Sequence, residues 1–293
     1  MEQINTSSLE NYPLIHQGKV RDIFDIDDQH MLIVTTDRLS AFDVILPTAI
    51  AGKGKVLTQV ANFWFHKLAH IIPNQLSSMS LQDLDLSEQE RAYLNERAII
   101  VKKLKPLPIE AIVRGYLIGS GWKDYQATGE VCGIPLPENL QMAEKLEQPL
   151  FTPSSKAAMG EHDENISFAQ MQKLIGDELA EQVKQVSLQL YNEAAEYALQ
   201  RGIIIADTKF EFGLDKNNQL VLIDEVLTPD SSRFWAVDTY QIGTSPASFD
   251  KQIVRDYLDS LDWNKQAPGP ELPKEIAQKT AEKYQQVADL LMK

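Results

Sequence analysis

The sequence predicts an α+β protein built of antiparallel sheets with flanking helices, in two parts: a β-rich lobe over 1–105 and an α+β lobe over 106–293. Three observations predict it. Short alternating or apolar runs crowd the first hundred residues. A sustained helical period is confined to a few stretches, the longest at 167–201. Directly after that stretch come two strand-like runs, IIIADTKFEFG and QLVLIDEVL.

In chain order, KVRDIFDI (19–26) alternates, HMLIVTT (30–36) is a short apolar run, and the acidic DDQ between them reads as a hairpin turn. FDVILP stops at Pro47. From Val56 to Ile72, apolar positions 56, 60, 63, 64, 68, 71 and 72 share one helical face, and Pro73 ends it. RAIIVKKL (97–104) and IEAIVRGYL (109–117) read as strands joined by a proline-bearing connection. Residues 132–165 are proline-punctuated and aperiodic and read as a long loop. After the helical stretch and the two strands come a helix near 248–260, a Pro/Gly linker at 266–273 and a last helix over 274–292.

The formal charge of −14 argues against non-specific binding to nucleic acid or to an anionic membrane surface. It also makes any local cluster of Lys and Arg informative. Cys132 is the sole cysteine, which excludes an intrachain disulfide and a thiolate zinc cage and fits a reducing cytosol. MEQINTSSLENYP has neither a basic n-region nor an apolar h-region, and no run approaches the ~18 apolar residues of a membrane span. The expectation is a cytoplasmic protein.

Strand alternation puts Asp207, Lys209 and Glu211 on one face of IADTKFEFG. The next strand carries Asp224 among apolar neighbours, where a carboxylate is costly unless paired or metal-bound. A two-residue turn at Asn217-Asn218 would pair Glu211 with Asp224, a good Mg²⁺ site with nucleotide phosphates and water completing the shell. The plain alternative is an acidic hairpin whose charges are solvated or paired with Lys209. LTPDSSRFW, which places Asp230 and Arg233 just beyond, favours phosphate chemistry.

Other segments offer phosphate-side groups. HQGKVRDIF sets Gly18 before a strand bearing Lys19 and Arg21; glycine admits close backbone approach and the bases neutralise charge. AGKGKVLT lacks the P-loop pattern, so Lys53 and Lys55 read as part of a turn into a helix. In IVRGYLIGSGWKDY, Gly119-Ser120-Gly121 opens a helix whose free N–H groups favour an anion within reach of Arg114. A serine cap alone is the competing reading. FTPSSKAAMGEHDEN holds Lys156, His162 and Asp163, as a substrate gate or as solvated surface. TTDRLSAFD packs Asp37, Arg38, Ser40 and Asp43 after a buried strand, as a functional loop or as a locally capped turn.

Together these motifs closely resemble the SAICAR synthetase family, the phosphoribosylaminoimidazole-succinocarboxamide synthases of purine biosynthesis. LPIEAIVRGYLIGSG (107–121) and IADTKFEFG (205–213) match its diagnostic patterns, supported by GKVRD, TDRLSAFD and SSKAAMGEHDENIS. The resemblance implies a two-lobed fold related to ATP-grasp and kinase-like folds. It implies an ATP-dependent ligase joining CAIR, 5-amino-1-(5-phosphoribosyl)imidazole-4-carboxylate, to L-aspartate. Lys209, Asp207 and Lys19 are then catalytic. Gly18, Lys19 and Arg21 cover the ATP phosphates, the connection at Lys102 and Lys103 lies beside adenine, and Glu211 and Asp224 hold Mg²⁺. Arg114, Ser120 and Arg233 hold the CAIR phosphate; Lys209, Asp230, Lys156 and Asp163 line the CAIR and aspartate side, bordered by Asp37 and Ser40. The 132–165 stretch departs most from shorter bacterial members, and length and acidity fit a monomer. The alternatives are a small-molecule kinase of the inositol-phosphate type and a nucleotide-binding regulator without catalysis.

Overall fold

The computed structural model describes residues 8–156, 164–249 and 251–293. Its strands are β1 (Leu14–Gln17), β2 (Arg21–Asp25), β3 (His30–Thr35), β4 (Ser40–Ala41), β5 (Val44–Ile45), β6 (Ala98–Lys102), β7 (Lys105–Pro106), β8 (Ile109–Tyr116), β9 (Glu130–Val131), β10 (Ile134–Pro135), β11 (Lys145–Phe151), β12 (Ser154–Ser155), β13 (Glu164–Asn165), β14 (Ile203–Leu214), β15 (Leu220–Ile223) and β16 (Ser232–Ala236). Its helices are α1 (Lys53–Lys67), α2 (Glu88–Leu94), α3 (Gly119–Thr128), α4 (Phe168–Ile175), α5 (Asp177–Leu199), α6 (Gln252–Asp259) and α7 (Lys274–Leu291). The pairings between these strands are antiparallel. No helix among the described residues is long and apolar enough to cross a membrane.

Contacts divide the chain into two compact units. Unit 1 comprises the described residues of 1–66, 75–104 and 249–293. It is built on a four-stranded sheet in the order β1-β2-β3-β6. The DDQ turn closes the β2–β3 hairpin because the Asp27 carboxylate accepts the N–H groups of Gln29 and His30. Phe24, Leu32, Val34 and Ile100 form a core with Leu84, Leu86 and Leu94. By chain order 249–293 follows the second lobe, but it packs in unit 1: Trp263 meets the Phe42 ring edge-on and Leu272 N–H donates to Thr48 Oγ1.

Unit 2 comprises 67–74 and the described residues of 105–248. Its eight-stranded sheet centres on β8 and β14. The twelve-residue β14 pairs with β8, β16, β15 and β7 along its length. One face of α5 buries Ala180, Val183, Leu190, Tyr191, Ala194 and Ala198, and Tyr191 Oη donates to Ile205 O at 2.7 Å, tying this helix to β14. Burial of apolar side chains at roughly 25 cal/mol per Å² is the main force holding these layers together.

Several elements differ from their sequence reading, each for a local reason. Helix α1 begins three residues early, at Lys53, because Asp37 Oδ1 accepts the Gly54 N–H at 2.9 Å and caps it. The 167–201 helical stretch is two helices broken at Gly176, whose φ is 89°. The supposed loop at 132–165 contains β11, which pairs with β8; its register breaks between Lys145 and Leu150, a span containing Pro149, and this hid the alternation. SRFWA forms a further strand, β16, beside β14. The β14–β15 turn runs over 215–219, where Asp215 Oδ1 accepts the N–H groups of Asn217 and Gln219, so Glu211 pairs with Ile223 and not with Asp224.

Candidate active site

Strand β14 alternates as its sequence demands: Lys209 and Glu211 are half-exposed between the buried Phe210 and Phe212. Across the ladder, Asp207 faces Arg114 on β8 and Arg233 on β16. One face of one sheet therefore carries Asp207, Lys209 and Glu211 in a column, flanked by residues of both neighbouring strands.

The lower half of the column is a carboxylate cluster around one ammonium. Lys209 Nζ donates to Glu211 Oε1 at 2.6 Å and Glu110 Oε1 at 2.9 Å, and lies 3.8 Å from Asp224 Oδ2. Lys156, just past β12, pairs with the other oxygen of Glu211. Ser154 Oγ donates to Glu110 Oε2 at 3.2 Å. Asp224 still reaches the cluster despite the shifted register. It follows the last residue of β15 with a φ of 62°, a left-handed conformation that aspartate tolerates. Burial lowers the Lys209 pKa, but Glu211, Asp224 and Glu110 outweigh it and hold the ammonium well above its ordinary value. Burial raises the Glu211 pKa, yet Lys209 and Lys156 bring it down to about 2. Both groups are ionised at neutral pH, and Lys209 is a fixed cation rather than a base.

The upper half is an anion cradle. Asp207, 4% exposed, is clamped between Arg114 Nη1 at 3.2 Å and the guanidinium of Arg233. Arg114 also donates from Nε to Thr152 Oγ1 at 3.0 Å and from Nη2 to Ser120 Oγ at 2.9 Å. Helix α3 starts at Gly119 with no side-chain cap on its first N–H groups. Gly119 has φ of 62°, and a methyl there would overlap the Arg233 guanidinium; a methyl on Gly121 would press on Arg114 Cδ at 3.0 Å. These glycines let two cations approach a helix N-terminus, where dipole and free N–H groups already favour an anion. Burial, with Arg233 adding to it, lowers the Arg114 pKa against the pull of Asp207, which favours an added anion.

Glu211 and Asp224, oxygen donors sharing one ammonium, suit a small hard cation such as Mg²⁺. Among the described residues no three carboxylate, histidine or cysteine groups converge as a metal cage. The remaining positions of a magnesium shell would fall to phosphate oxygens and water, its usual habit with nucleotides. Burial pushes the Cys132 thiol up to about 11, which removes it as a nucleophile.

In unit 1, Gly18 N–H donates to Arg21 O at 2.7 Å, and the exposed Lys19 ammonium pairs with Asp43. Lys103 pairs with Asp25. Asp37 and Ser40 are both buried, at 0% and 8% exposure. The Asp37 carboxylate turns inward, to the Gly54 N–H and to Arg97 Nη1 at 3.3 Å, so it anchors α1. Lys53 is buried in the first turn of that helix and Lys55 pairs with Glu96 at 2.9 Å. In unit 2, Asp230 sits half-buried in the turn before β16, its N–H donating to Thr228 Oγ1. Asp163 and His162 lie outside the described residues. Glu110 escaped the sequence reading, although a lone acid within IEAIV carries the same signal that marked Asp224.

Comparison with known proteins follows the same lines. The SAICAR synthetase family model matches residues 14–270. A phosphoribosylaminoimidazole-succinocarboxamide synthase from Thioalkalivibrio sulfidiphilus is 66% identical, over 96% of this chain and 95% of its own length. The overall length is thus shared with a bacterial protein. A SAICAR synthase from Saccharomyces cerevisiae, solved with SAICAR, superposes with a TM-score of 0.89 at 41% identity, covering 98% of this chain and 97% of that one. A SAICAR synthetase solved with ADP superposes with a TM-score of 0.70 at 25% identity, covering 94% and 96%.

Proposed function

The chain belongs to the SAICAR synthetase family, and from that premise we propose which of its residues carry the family's reaction. The protein is an ATP-dependent ligase of purine biosynthesis that condenses CAIR with L-aspartate to give SAICAR, ADP and phosphate. The similarity sets aside both the small-molecule kinase and the non-catalytic regulator. One observation supports the residue assignment above all: the carboxylate cluster around Lys209 and the cradle of Arg114, Asp207 and Arg233 adjoin on one sheet face.

In the proposed course, the CAIR carboxylate oxygen attacks the γ-phosphorus of ATP and ADP leaves, giving an acyl phosphate. The aspartate amine then attacks the acyl carbon, the C–O bond to phosphate breaks, and the amine gives up a proton. The first step is needed because oxide is a poor leaving group and phosphate a good one. Arg114, Arg233, Ser120 Oγ and the first N–H groups of α3 hold the CAIR phosphate. Asp207 fixes the two guanidiniums in place, which makes it a positioning residue rather than the catalytic one its motif suggests. Lys209 stays protonated and neutralises charge near the transferring phosphoryl group, with Lys19 assisting. Gly18, Lys19 and Arg21 cover the ATP phosphates, and Lys103 lies beside adenine. Glu211 and Asp224 would hold Mg²⁺, which when bound would neutralise phosphate charge. Lys156, Asp230 and Asp163 line the aspartate side. We propose that the protein acts as a monomer in the cytoplasm.

The test of the reaction is ADP release that requires both CAIR and L-aspartate; release with either one alone would refute it. The cradle has its own test. Arg114→Ala is expected to raise KM for CAIR by roughly 30-fold or more while changing KM for ATP less than threefold, a charge-assisted phosphate contact being worth ~2–3 kcal/mol. Gly119→Ala should act in the same direction by displacing Arg233. An unchanged CAIR dependence in Arg114→Ala would refute the phosphate role.

A further inference from the structure

The GKVR turn of unit 1 is held by a buried guanidinium that its own sequence does not contain. Arg38, 8% exposed and following β3, reaches back to the turn. Its Nη2 donates to Gly18 O at 3.0 Å and its Nε to Lys19 O at 3.1 Å. The same guanidinium grips Asp22, fully buried, through Nη2 at 2.7 Å and Nη1 at 3.3 Å. Thr36 adds two bonds to Val20 O, from its N–H and from Oγ1, both at 2.9 Å. The fourth carbonyl, of Arg21, accepts the Gly18 N–H at 2.7 Å.

All four carbonyl oxygens of residues 18–21 are therefore occupied, three of them by the 36–38 segment. A carbonyl oxygen repels a phosphate. Binding every one of them to donors of the protein keeps these partial negative charges away from an approaching anion. What the turn then offers outward is the exposed ammonium of Lys19. Arginine is required because only its planar fork can meet two carbonyls and a carboxylate at once. Asp22 fixes the orientation of that fork.

We infer that Arg38, oriented by Asp22, is a positioning residue that holds the carbonyls of the GKVR turn inward and so sets nucleotide affinity. This rests on the reading of that turn as the ATP-phosphate loop. It adds to it the device that gives the loop its polarity, carried by a residue pair behind the turn.

The experiment measures ADP binding by titration calorimetry for wild type, Arg38→Lys, Lys19→Ala and the double variant, with KM for CAIR measured alongside. Arg38→Lys keeps the charge and loses the fork. It is expected to weaken ADP roughly tenfold, the loss of one to two charge-assisted bonds, while KM for CAIR stays within twofold. Because the carbonyls of the turn repel phosphate with or without the Lys19 ammonium, the double variant should bind ADP roughly tenfold more weakly than Lys19→Ala alone. If Lys19→Ala weakens ADP and Arg38→Lys does not, the inference is overturned and the phosphate-loop reading stands. If Lys19→Ala also binds ADP as wild type does, both fall. Should Arg38→Lys fail to fold, Thr36→Val removes one of the bonds to Val20 O at nearly constant volume. It should weaken ADP two- to threefold with CAIR unchanged, and equal effects on both ligands would overturn the inference.

Discussion

Glu211→Ala is expected to lower kcat by roughly 10²–10³-fold, the scale of losing one group that organises charge on a transferring phosphoryl. The fold should survive. Lys209 keeps Glu110 and Asp224 as partners, and the released Lys156 is 32% exposed and can turn to water. Asp224→Ala should behave alike, because the two carboxylates face the same ammonium. The measurement is ADP release with CAIR and L-aspartate across a magnesium titration. Turnover equal to wild type by both variants at limiting Mg²⁺ would end the metal assignment. The pH dependence has a definite sign. A carboxylate whose folded pKa is depressed contributes stability above its unfolded value near ~4.3, and that stability is lost as pH falls through the folded value of about 2. Glu211 should therefore add no acid limb to the activity profile between pH 5 and 8, where limbs from other groups remain free to appear.

Much of this site could be read from residue order because strand alternation is a local property. Asp207, Lys209 and Glu211 share a face for the simple reason that a strand has a period of two. The Gly119-Ser120-Gly121 opening of α3 was legible for an equally local reason, since glycines before a helix leave its N–H groups approachable. What failed depended on pairing at a distance. A register is set by the turn, and here Asp215 closes a five-residue loop by accepting two N–H groups; Asn217-Asn218 looked like the better turn on its own chemistry. Asp224 reached the cluster by a backbone conformation that a strand pattern does not encode. Glu110 became part of the site only when β8 was laid beside β14. Asp37 shows a contact that its loop sequence does not encode: its carboxylate caps α1 at the Gly54 N–H and pairs with Arg97. Arg38 was visible in the sequence as a charge, while its partners include the Gly18 and Lys19 carbonyls and the Asp22 carboxylate of the preceding hairpin.

Lys209→Met is expected to have the largest combined effect, on activity and on fold. The substitution removes the cation that Glu110, Glu211 and Asp224 share, while Lys156 stays on one oxygen of Glu211. Removing one partner of a buried ion pair costs ~3–5 kcal/mol. Lys209 is 27% exposed, so water screens part of this and roughly 2–3 kcal/mol is the better expectation, or a fall in Tm of about 5–10 °C. The sign of the pH dependence must reverse relative to Glu211 in the wild type. Without the ammonium the crowded carboxylates repel one another and at least one takes a folded pKa above its unfolded value. Such a group contributes full stability below the unfolded pKa and loses it as pH rises through the folded one. The Tm deficit of Lys209→Met should thus be largest near pH 8 and shrink toward pH 5, and a deficit independent of pH would contradict the cluster. Lys209→Arg separates fold from chemistry. A guanidinium restores the charge, so most of the lost Tm should return. Its wider fork cannot sit among three carboxylates as a compact ammonium does, so turnover should remain at least 10²-fold down. Recovery of both together would mean that Lys209 matters only as a structural cation, and the proposed role in phosphoryl transfer would fall.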